Sequence, residues 1–573
     1  MGDYTNPSVE KRWLKYYSEQ ELDLKWSDDS LFDAISHVDS IDRIAIRYLG
    51  LSITYKELFE GIDKAAKAFV KSGIRQGDIV MLMLPTLPET IFSFYALNRI
   101  GAIAQFVDVR YTPQQLLDVA LKTKPKMVMI MTFYLKEYET VAKSLNCTGT
   151  VILRGCDSMS RFFNFWFKTG EFFNGQQRAS KKLDNALFWS DFIKKGNDCS
   201  ETPTVKTNGD TVAAIFQTSG TTGFPKSAIH TNSNLNNSAA LKYKFMNNPV
   251  PGDTALSIIP AFTMFGFIYS VHMPLRYGMT LAIEPLFKSE QLPSLIHKYK
   301  PNHFFSVPSH WERLAEKKLD RNLSFIKTVY VAGEVLDPNL RSKINELFNK
   351  HNCNTQLCAD YGMTETGGTI SFMPQSIPFE KTAINGYSGI PTPVCDLCIY
   401  DNDNQQELNY NKTGEICVWT PFVIKGYFDD PIETKCLFKK HPDGKTWLHT
   451  GDVGYISQDG LLFIKGRRKR MIVRFDGTKL FPIEIESVIK PIPGIAECCV
   501  VPTSDKSHKY GQQPYLFVVI EKSFDKTKTM KAVTKACTLK LPVYLQPVGI
   551  RAIDRLPRNA MGKTDYLKLI ELL

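Results

Sequence analysis

The sequence predicts an α/β protein of at least two domains. A large part carries parallel sheets covered by helices, followed by a β-rich stretch and a small C-terminal α+β module. Three observations lead there. At 573 residues the chain exceeds what one hydrophobic core normally supports. From Ile53 to Met131, short apolar runs alternate with segments of helical period, the rhythm of strand–helix–strand units. Beyond about Gly414 the texture changes to short strands separated by turn residues.

In chain order, "YKELFEGIDKAAKAFVKSG" has helical periodicity and stops at Gly73, and "DIVMLML" suits a buried strand. "PETIFSFYALNRIG" is helical, "AIAQFVD" extended, "TPQQLLDVALKTK" helical and "KMVMIM" extended. Further strand-bearing units are expected at "TVAAIFQT", "TALSIIP" and "KTVYVAG". "TGEICVWT" and "GLLFIKG" read as antiparallel strands. "FPIEIESVIKPIPGI", "CCVVPT" and "PYLFVVIE" form the separate small module. The boundary is expected in the charged, poorly periodic "GRRKRM", dividing residues 1–466 from 467–573.

Composition narrows the function classes. With 43% hydrophobic and 23% charged residues, the chain reads as a soluble globular protein. A formal charge of +11 favours anionic partners such as nucleotides and phosphorylated cofactors. No long Lys/Arg block with interleaved aromatics argues for a nucleic-acid groove. The 12 cysteines form no regular disulfide framework, which suits a reducing compartment. Cys395 and Cys398 make one C-x-x-C. Residues three apart on a strand face opposite ways, and no second Cys or His pair of ligand spacing accompanies them, so a structural role is expected.

The opening "MGDYTNPSVEKRW" lacks the apolar core of a signal peptide and misses the myristoylation pattern at Asn6. No apolar run is long enough to span a bilayer, so a cytoplasmic protein is expected. "RFFNFWFKTGEFF", Arg161–Phe173, sets aromatics beside basic residues. It reads first as an aromatic surface loop, with peripheral membrane contact as the alternative.

The chemistry-bearing stretches begin with "QTSGTTGFPKSAIHTN", Gln217–Asn232. Its small and hydroxyl residues with Lys226 read either as a flexible polar turn or as an anion-binding loop. In the second case glycines let backbone N–H groups approach phosphate oxygens. The spacing is not that of G-x-x-x-x-G-K-[ST], and "GKT" at Gly562–Thr564 lacks the earlier glycine, so a P-loop NTPase is disfavoured. "DYGMTETGG", Asp360–Gly368, offers an aromatic, a hydroxyl and a carboxylate together. "TGDVGY" offers Asp452, whose carboxylate can accept two ribose hydroxyls. "KGRRKRMIVRFDGTKLFPIEIE" and "LPRNAMGKTDYLKL" complete the set.

Jointly and in this order, these stretches resemble the adenylate-forming (AMP-binding) superfamily: acyl-CoA synthetases, firefly luciferase and stand-alone adenylation domains. The resemblance spans nearly the whole chain. It implies a large adenylating domain and a small mobile C-terminal domain. It implies that Thr218, Ser219, Gly220, Thr221, Thr222 and Gly223, with Lys226, clasp the β- and γ-phosphates of ATP. Gly333 and Glu334 of "VAGEVL" would line adenine and Tyr361 would stack on it. Thr364 would contact the α-phosphate and Glu365 would ligate Mg²⁺; Asp452 and Arg467 would hold the ribose. Lys469 matches the hinge, Gly477 the pantetheine channel and Lys563 the catalytic lysine. "GRRKR" then becomes a hinge beside the nucleotide.

The implied reaction is attack of a carboxylate on the α-phosphorus of ATP, then attack of the coenzyme A thiol on the acyl-AMP. Two anions must meet in the first step, which calls for Mg²⁺ and a lysine at the developing charge. Lys465–Glu486 looks most like the fatty-acyl branch, and Phe262, Thr263 and Phe265 of "PAFTMFGF" would line an apolar acyl pocket. A medium- or long-chain fatty acid is therefore expected first and an aryl acid second. Delivery to a phosphopantetheine carrier protein is the nearest rival. A non-catalytic, membrane-associated nucleotide-binding protein is more distant. No G-x-S-x-G elbow supports a serine hydrolase. Two departures stand out. Ser227 follows Lys226 where relatives have glycine, which would strain a backbone needing positive φ. Thr263 stands where many relatives have histidine.

Overall fold

The computed structural model describes residues 6–145, 147–155, 157, 183, 185–218, 225–285, 287–312, 314, 322–374, 376–377, 382–476, 478–505, 511–558 and 564–573. The aromatic segment Arg161–Phe173 lies outside them. Among the described residues the chain forms two large, mostly parallel sheets, an antiparallel sheet, a small C-terminal sheet and a two-stranded ribbon of Ile472–Val473 with Lys479–Leu480. No helix among them is long and apolar enough to cross a membrane.

The first sheet has the order Ala186–Phe188, Gly149–Leu153, Met127–Met131, Ile79–Met83, Ile103–Phe106, Val212–Thr218, Lys226–Thr231. Its central strands are parallel, and only the last pair is antiparallel. Ile79–Met83 and Met127–Met131 are buried at every position, as strands covered on both faces must be. The covering helices start where side chains can satisfy their first N–H groups. Thr54 with Glu57, and Thr112 with Gln115, form reciprocal capping pairs at Tyr55–Lys71 and Pro113–Thr123. Leu58, Ile62, Ala65 and Phe69 recur along one face of the first helix and are buried.

The second sheet runs Ile390–Pro391, Gly368–Phe372, Leu357–Met363, Thr328–Val331, His303–Ser306, Thr254–Ser257, Thr280–Ile283, Ile44–Tyr48, Leu51–Thr54. Two N-terminal strands thus complete a sheet whose centre comes from the middle of the chain. The third sheet is antiparallel: Gln406–Leu408, Asp396–Asp401, Gly414–Trp419, Thr446–Ile456 and Phe438–Lys440, with Leu462–Arg467 also pairing Thr446–Ile456. Ile495–Ser504, Gln512–Ile520 and Gly549–Ala552 make the C-terminal sheet. Val500 and Leu516 of this sheet, with Ile485 and Val533 from the helices Pro482–Ile489 and Lys526–Lys540, belong to a cluster separate from the main core. This is the mixed α/β architecture with a small C-terminal domain that the sequence predicts.

One buried polar contact joins the helix Asn232–Lys244 to the second sheet. Lys242 Nζ donates to Asp360 at 2.6–2.8 Å, and both side chains are only 2% exposed. Aromatic rings surround the ammonium group, which sits 3.0 Å from the Tyr330 ring centroid. Burial pushes the Lys242 ammonium pKa down and the Asp360 carboxyl pKa up, and each charge partly restores the other. Removing one partner of such a pair strands the other charge, at about 3–5 kcal/mol. Lys242→Met is therefore expected to lower the thermal midpoint markedly, whereas Lys242→Met with Asp360→Leu recovers most of the loss. Scanning calorimetry of both variants checks this; an unaffected single variant contradicts it.

Candidate active site

Three residues named from the sequence meet directly. Tyr361 sits near the end of Leu357–Met363, and its hydroxyl donates to Asp452 Oδ2 at 2.7 Å. Asp452 and Arg467 face each other across the antiparallel pair formed by Thr446–Ile456 and Leu462–Arg467. Arg467 Nε lies 2.7 Å from Asp452 Oδ1. The Asp452 backbone N–H donates to the Thr450 hydroxyl at 3.0 Å, which fixes the local turn. Burial, then the neighbouring Asp452 carboxylate, pushes the Tyr361 phenol well above its ordinary pKa, so it remains a donor.

A second group surrounds Glu365. The short 3₁₀ turn Thr364–Thr366 buries Glu365 and leaves Thr364 half-buried. Gly367 follows at φ +68, and a Cβ there would meet the Phe422 carbonyl oxygen at 1.9 Å, so the close approach requires glycine. Tyr427 donates its hydroxyl to Glu365 Oε1 at 2.7 Å. Lys226 lies 5.1 Å from the Tyr427 ring centroid and donates to Glu433 Oε2 at 2.6 Å. An anion binding at Lys226 therefore competes with Glu433. Magnesium carried mainly by phosphate oxygens needs only one or two protein carboxylates, and Glu365 fits that requirement.

The remaining named residues are placed separately. Thr218 and Lys226 face each other across two antiparallel strands, bracketing the Thr/Ser/Gly-rich loop. Gly333, at φ +84, and Glu334 are exposed just beyond Thr328–Val331. Lys469 is exposed in the single turn Arg468–Arg470, whose last residue binds Glu486 at 2.8 Å. Phe262 is buried, and Phe265 packs against Tyr269 and Phe305 with centroids 5.4 and 6.5 Å away. Thr263 caps Met264–Phe267: its hydroxyl accepts the Gly266 N–H and donates to the Pro260 carbonyl. Ser219, Gly220, Thr221, Thr222, Gly223, Gly477 and Lys563 lie outside the described residues.

Two outcomes differ from expectation or extend it. Ser227 carries none of the strain expected at a glycine position. It lies within Lys226–Thr231, is absent from the described positive-φ residues, and donates its hydroxyl to Gln217 Oε1 at 3.0 Å. Tyr427 and Glu433, which contact Glu365 and Lys226, were not singled out by sequence. They carry no motif of their own, and only the "GYFDDP" turn signal lies near them.

The Tyr361, Asp452 and Arg467 contact and the Glu365 turn sit on a mixed α/β architecture with a small C-terminal domain. The AMP-binding enzyme family profile matches residues 34–428, and the AMP-binding enzyme C-terminal domain profile matches residues 484–563. The chain belongs to the AMP-binding enzyme family. It is 28% identical over 534 residues to 4-coumarate–CoA ligase CCL1 of Humulus lupulus, covering 90% of this chain and 87% of that protein. Among solved structures, the anthranilate CoA ligase AuaEII in complex with anthranoyl-AMP is similar at TM-score 0.78 and 19% identity, covering 96% of this chain and 98% of that one. The Bacillus subtilis o-succinylbenzoate CoA synthetase with ATP and magnesium is similar at TM-score 0.74 and 22% identity, covering 95% and 100%. These two likenesses show a shared fold.

Because Ser227 occupies an extended strand, Ser227→Gly is expected to cost stability by about 1 kcal/mol, through backbone entropy and the lost hydrogen bond. Denaturant titration followed by fluorescence measures it. A stabilised glycine variant would contradict the extended assignment.

Proposed function

We propose that the protein is an AMP-forming acid–CoA ligase: it condenses a carboxylic acid with ATP to give acyl-AMP and pyrophosphate, then transfers the acyl group to coenzyme A with release of AMP. The observation that supports this reading is the contact of Tyr361, Asp452 and Arg467, which brings a ring, a carboxylate and a guanidinium together.

In this reading Tyr361 stacks on adenine beside Gly333 and Glu334, and Asp452 accepts the ribose hydroxyls. Thr364 contacts the α-phosphate. Lys226, released from Glu433, takes up phosphate charge with Thr218 and the adjoining loop. Magnesium, held at Glu365, would offset the repulsion between carboxylate and triphosphate. The acid's oxygen forms a bond to the α-phosphorus as the bond to pyrophosphate breaks, and Lys563 stabilises the charge that develops. The coenzyme A sulfur then forms a bond to the acyl carbon as AMP leaves with the electron pair, in a channel beside Gly477. Rotation of residues 467–573 about Lys469 would exchange Lys563 for the thiol channel between the two steps.

For the acid, an aryl substrate is the better supported choice, ahead of the fatty acid expected first. The curated relative is a 4-coumarate–CoA ligase, and the neighbour with bound product intermediate carries an anthranoyl group. Near Thr263 in the chain, Phe265 packs with Tyr269 and Phe305 in an aromatic cluster, an environment compatible with an aromatic ring.

A panel of hydroxycinnamic, benzoic and fatty acids, scored for AMP release with and without coenzyme A, tests the reading. Acid-dependent AMP release that multiplies on adding coenzyme A, highest for aryl acids, is expected; release with carrier protein alone would favour the rival acceptor. Lys563→Ala is expected to reduce adenylate formation ~100–1,000-fold while leaving thioesterification of supplied acyl-AMP nearly intact. Equal loss of both half-reactions contradicts the division of labour between the domains.

A further inference from the structure

The antiparallel sheet holds a second constellation, away from the groups assigned to the nucleotide. Cys398, Cys417 and His449 stand in one row across three neighbouring strands: Cys398 faces Cys417, and Cys417 faces His449, in the register of the ladders. Directly opposed residues on adjacent antiparallel strands project to the same face, with Cβ atoms ~4.5–5.5 Å apart. The turn joining Phe438–Lys440 to Thr446–Ile456 brings His441 over this row. The ligating atoms of Cys417, His441 and His449 all lie within 4.8 Å of one another. The two imidazoles meet through their Nε2 atoms, 2.9 Å apart. Cys398, outside that trio, stands directly opposite Cys417 in the ladder.

We propose that Cys398, Cys417, His441 and His449 form a tetrahedral Zn²⁺ site with a structural role. The donor set and its surroundings both favour this ion. Two sulfur and two imidazole donors in tetrahedral array are the environment of structural zinc. Zinc–nitrogen bonds of ~2.0–2.1 Å set tetrahedral ligand nitrogens ~3.3 Å apart, so the observed pair need open only slightly. Two thiolates and two neutral imidazoles cancel the charge of a divalent cation, as a buried position demands. The position is buried: Cys417 is 0%, Cys398 1%, and His441 and His449 each 7% exposed. Binding displaces the two thiol protons to solvent.

The surroundings complete the pattern of a built metal site. His449 uses its other nitrogen, Nδ1, toward Glu415 Oε2 at 3.1 Å, the carboxylate–histidine arrangement that orients metal-bound imidazoles. Glu415 is itself held by Asn402 and Arg468, and accepts the Gly451 backbone N–H at 3.1 Å. His441 stacks on Tyr400 at 3.8 Å between centroids, which fixes its ring plane. The ion would pin three strands together one turn away from Asp452, and Glu415 would carry that order to Gly451. Cys395, the other half of the C-x-x-C, takes no part: Thr392 donates to its sulfur in a separate contact. The ligands thus come from four places in the chain, none of them a compact motif.

The test measures metal on the full-length protein, purified under reducing conditions without chelator. Elemental analysis is expected to find about one zinc per chain. After chelator treatment, Co²⁺ alone should restore a tetrahedral visible spectrum with a sulfur-to-cobalt charge-transfer band, and Zn²⁺ should bleach it. Cys398→Ser should halve the intensity of that band, Glu415→Gln should weaken metal affinity ~10–100-fold, and Cys395→Ser should change neither. Wild-type protein that holds no zinc and gives no charge-transfer band with Co²⁺ overturns the site. An undiminished band in Cys398→Ser overturns the four-ligand assignment. The wild-type arms decide the question even if a variant fails to fold.

Discussion

Asp452 is the constraint on which the arrangement of the candidate site depends. It lies on the antiparallel sheet, yet it receives a hydrogen bond from Tyr361, which belongs to the second large sheet. Its other oxygen meets Arg467, the last residue of the strand that leads into the Arg468–Arg470 turn. One carboxylate therefore ties together two sheets and the strand that leads into the Arg468–Arg470 turn. Were it absent, the Tyr361 ring and the Arg467 guanidinium would lose their common reference point.

The same economy recurs in the polar groups nearby. Glu365 is held by Tyr427, Lys226 by Glu433, and Lys242 by Asp360, so each charged group has a defined partner before any substrate arrives. The Lys226–Glu433 pair differs from the Lys242–Asp360 pair in exposure. Lys226 and Glu433 are 17% and 35% exposed and can part, whereas the 2% exposed pair is fixed in the fold.

Much of the fold was legible because its signals are local. The helical period of Tyr55–Lys71, the apolar runs at Ile79–Met83 and Met127–Met131, and the turn-rich texture after Gly414 all lie within short windows. Sheet order was not legible, since Ile44–Tyr48 pairs with Thr280–Ile283 across most of the domain. The site shows the same division. Tyr361, Glu365 and Asp452 announce themselves in motifs, but Lys226–Glu433 is separated by 207 residues and Lys242–Asp360 by 118. Ser227 misled because strain was inferred from residue type alone, while its backbone is extended. His441 and His449 escaped because a hairpin, not a spacing motif, brings them to Cys417.

The central claim is that this nucleotide site activates a carboxylate. Isotope exchange between pyrophosphate and ATP measures the first half-reaction alone, without coenzyme A. The account predicts exchange that requires both an acid and Mg²⁺ and falls steeply in Asp452→Ala. Exchange that proceeds without acid, or none across aryl and aliphatic acids alike, would contradict it.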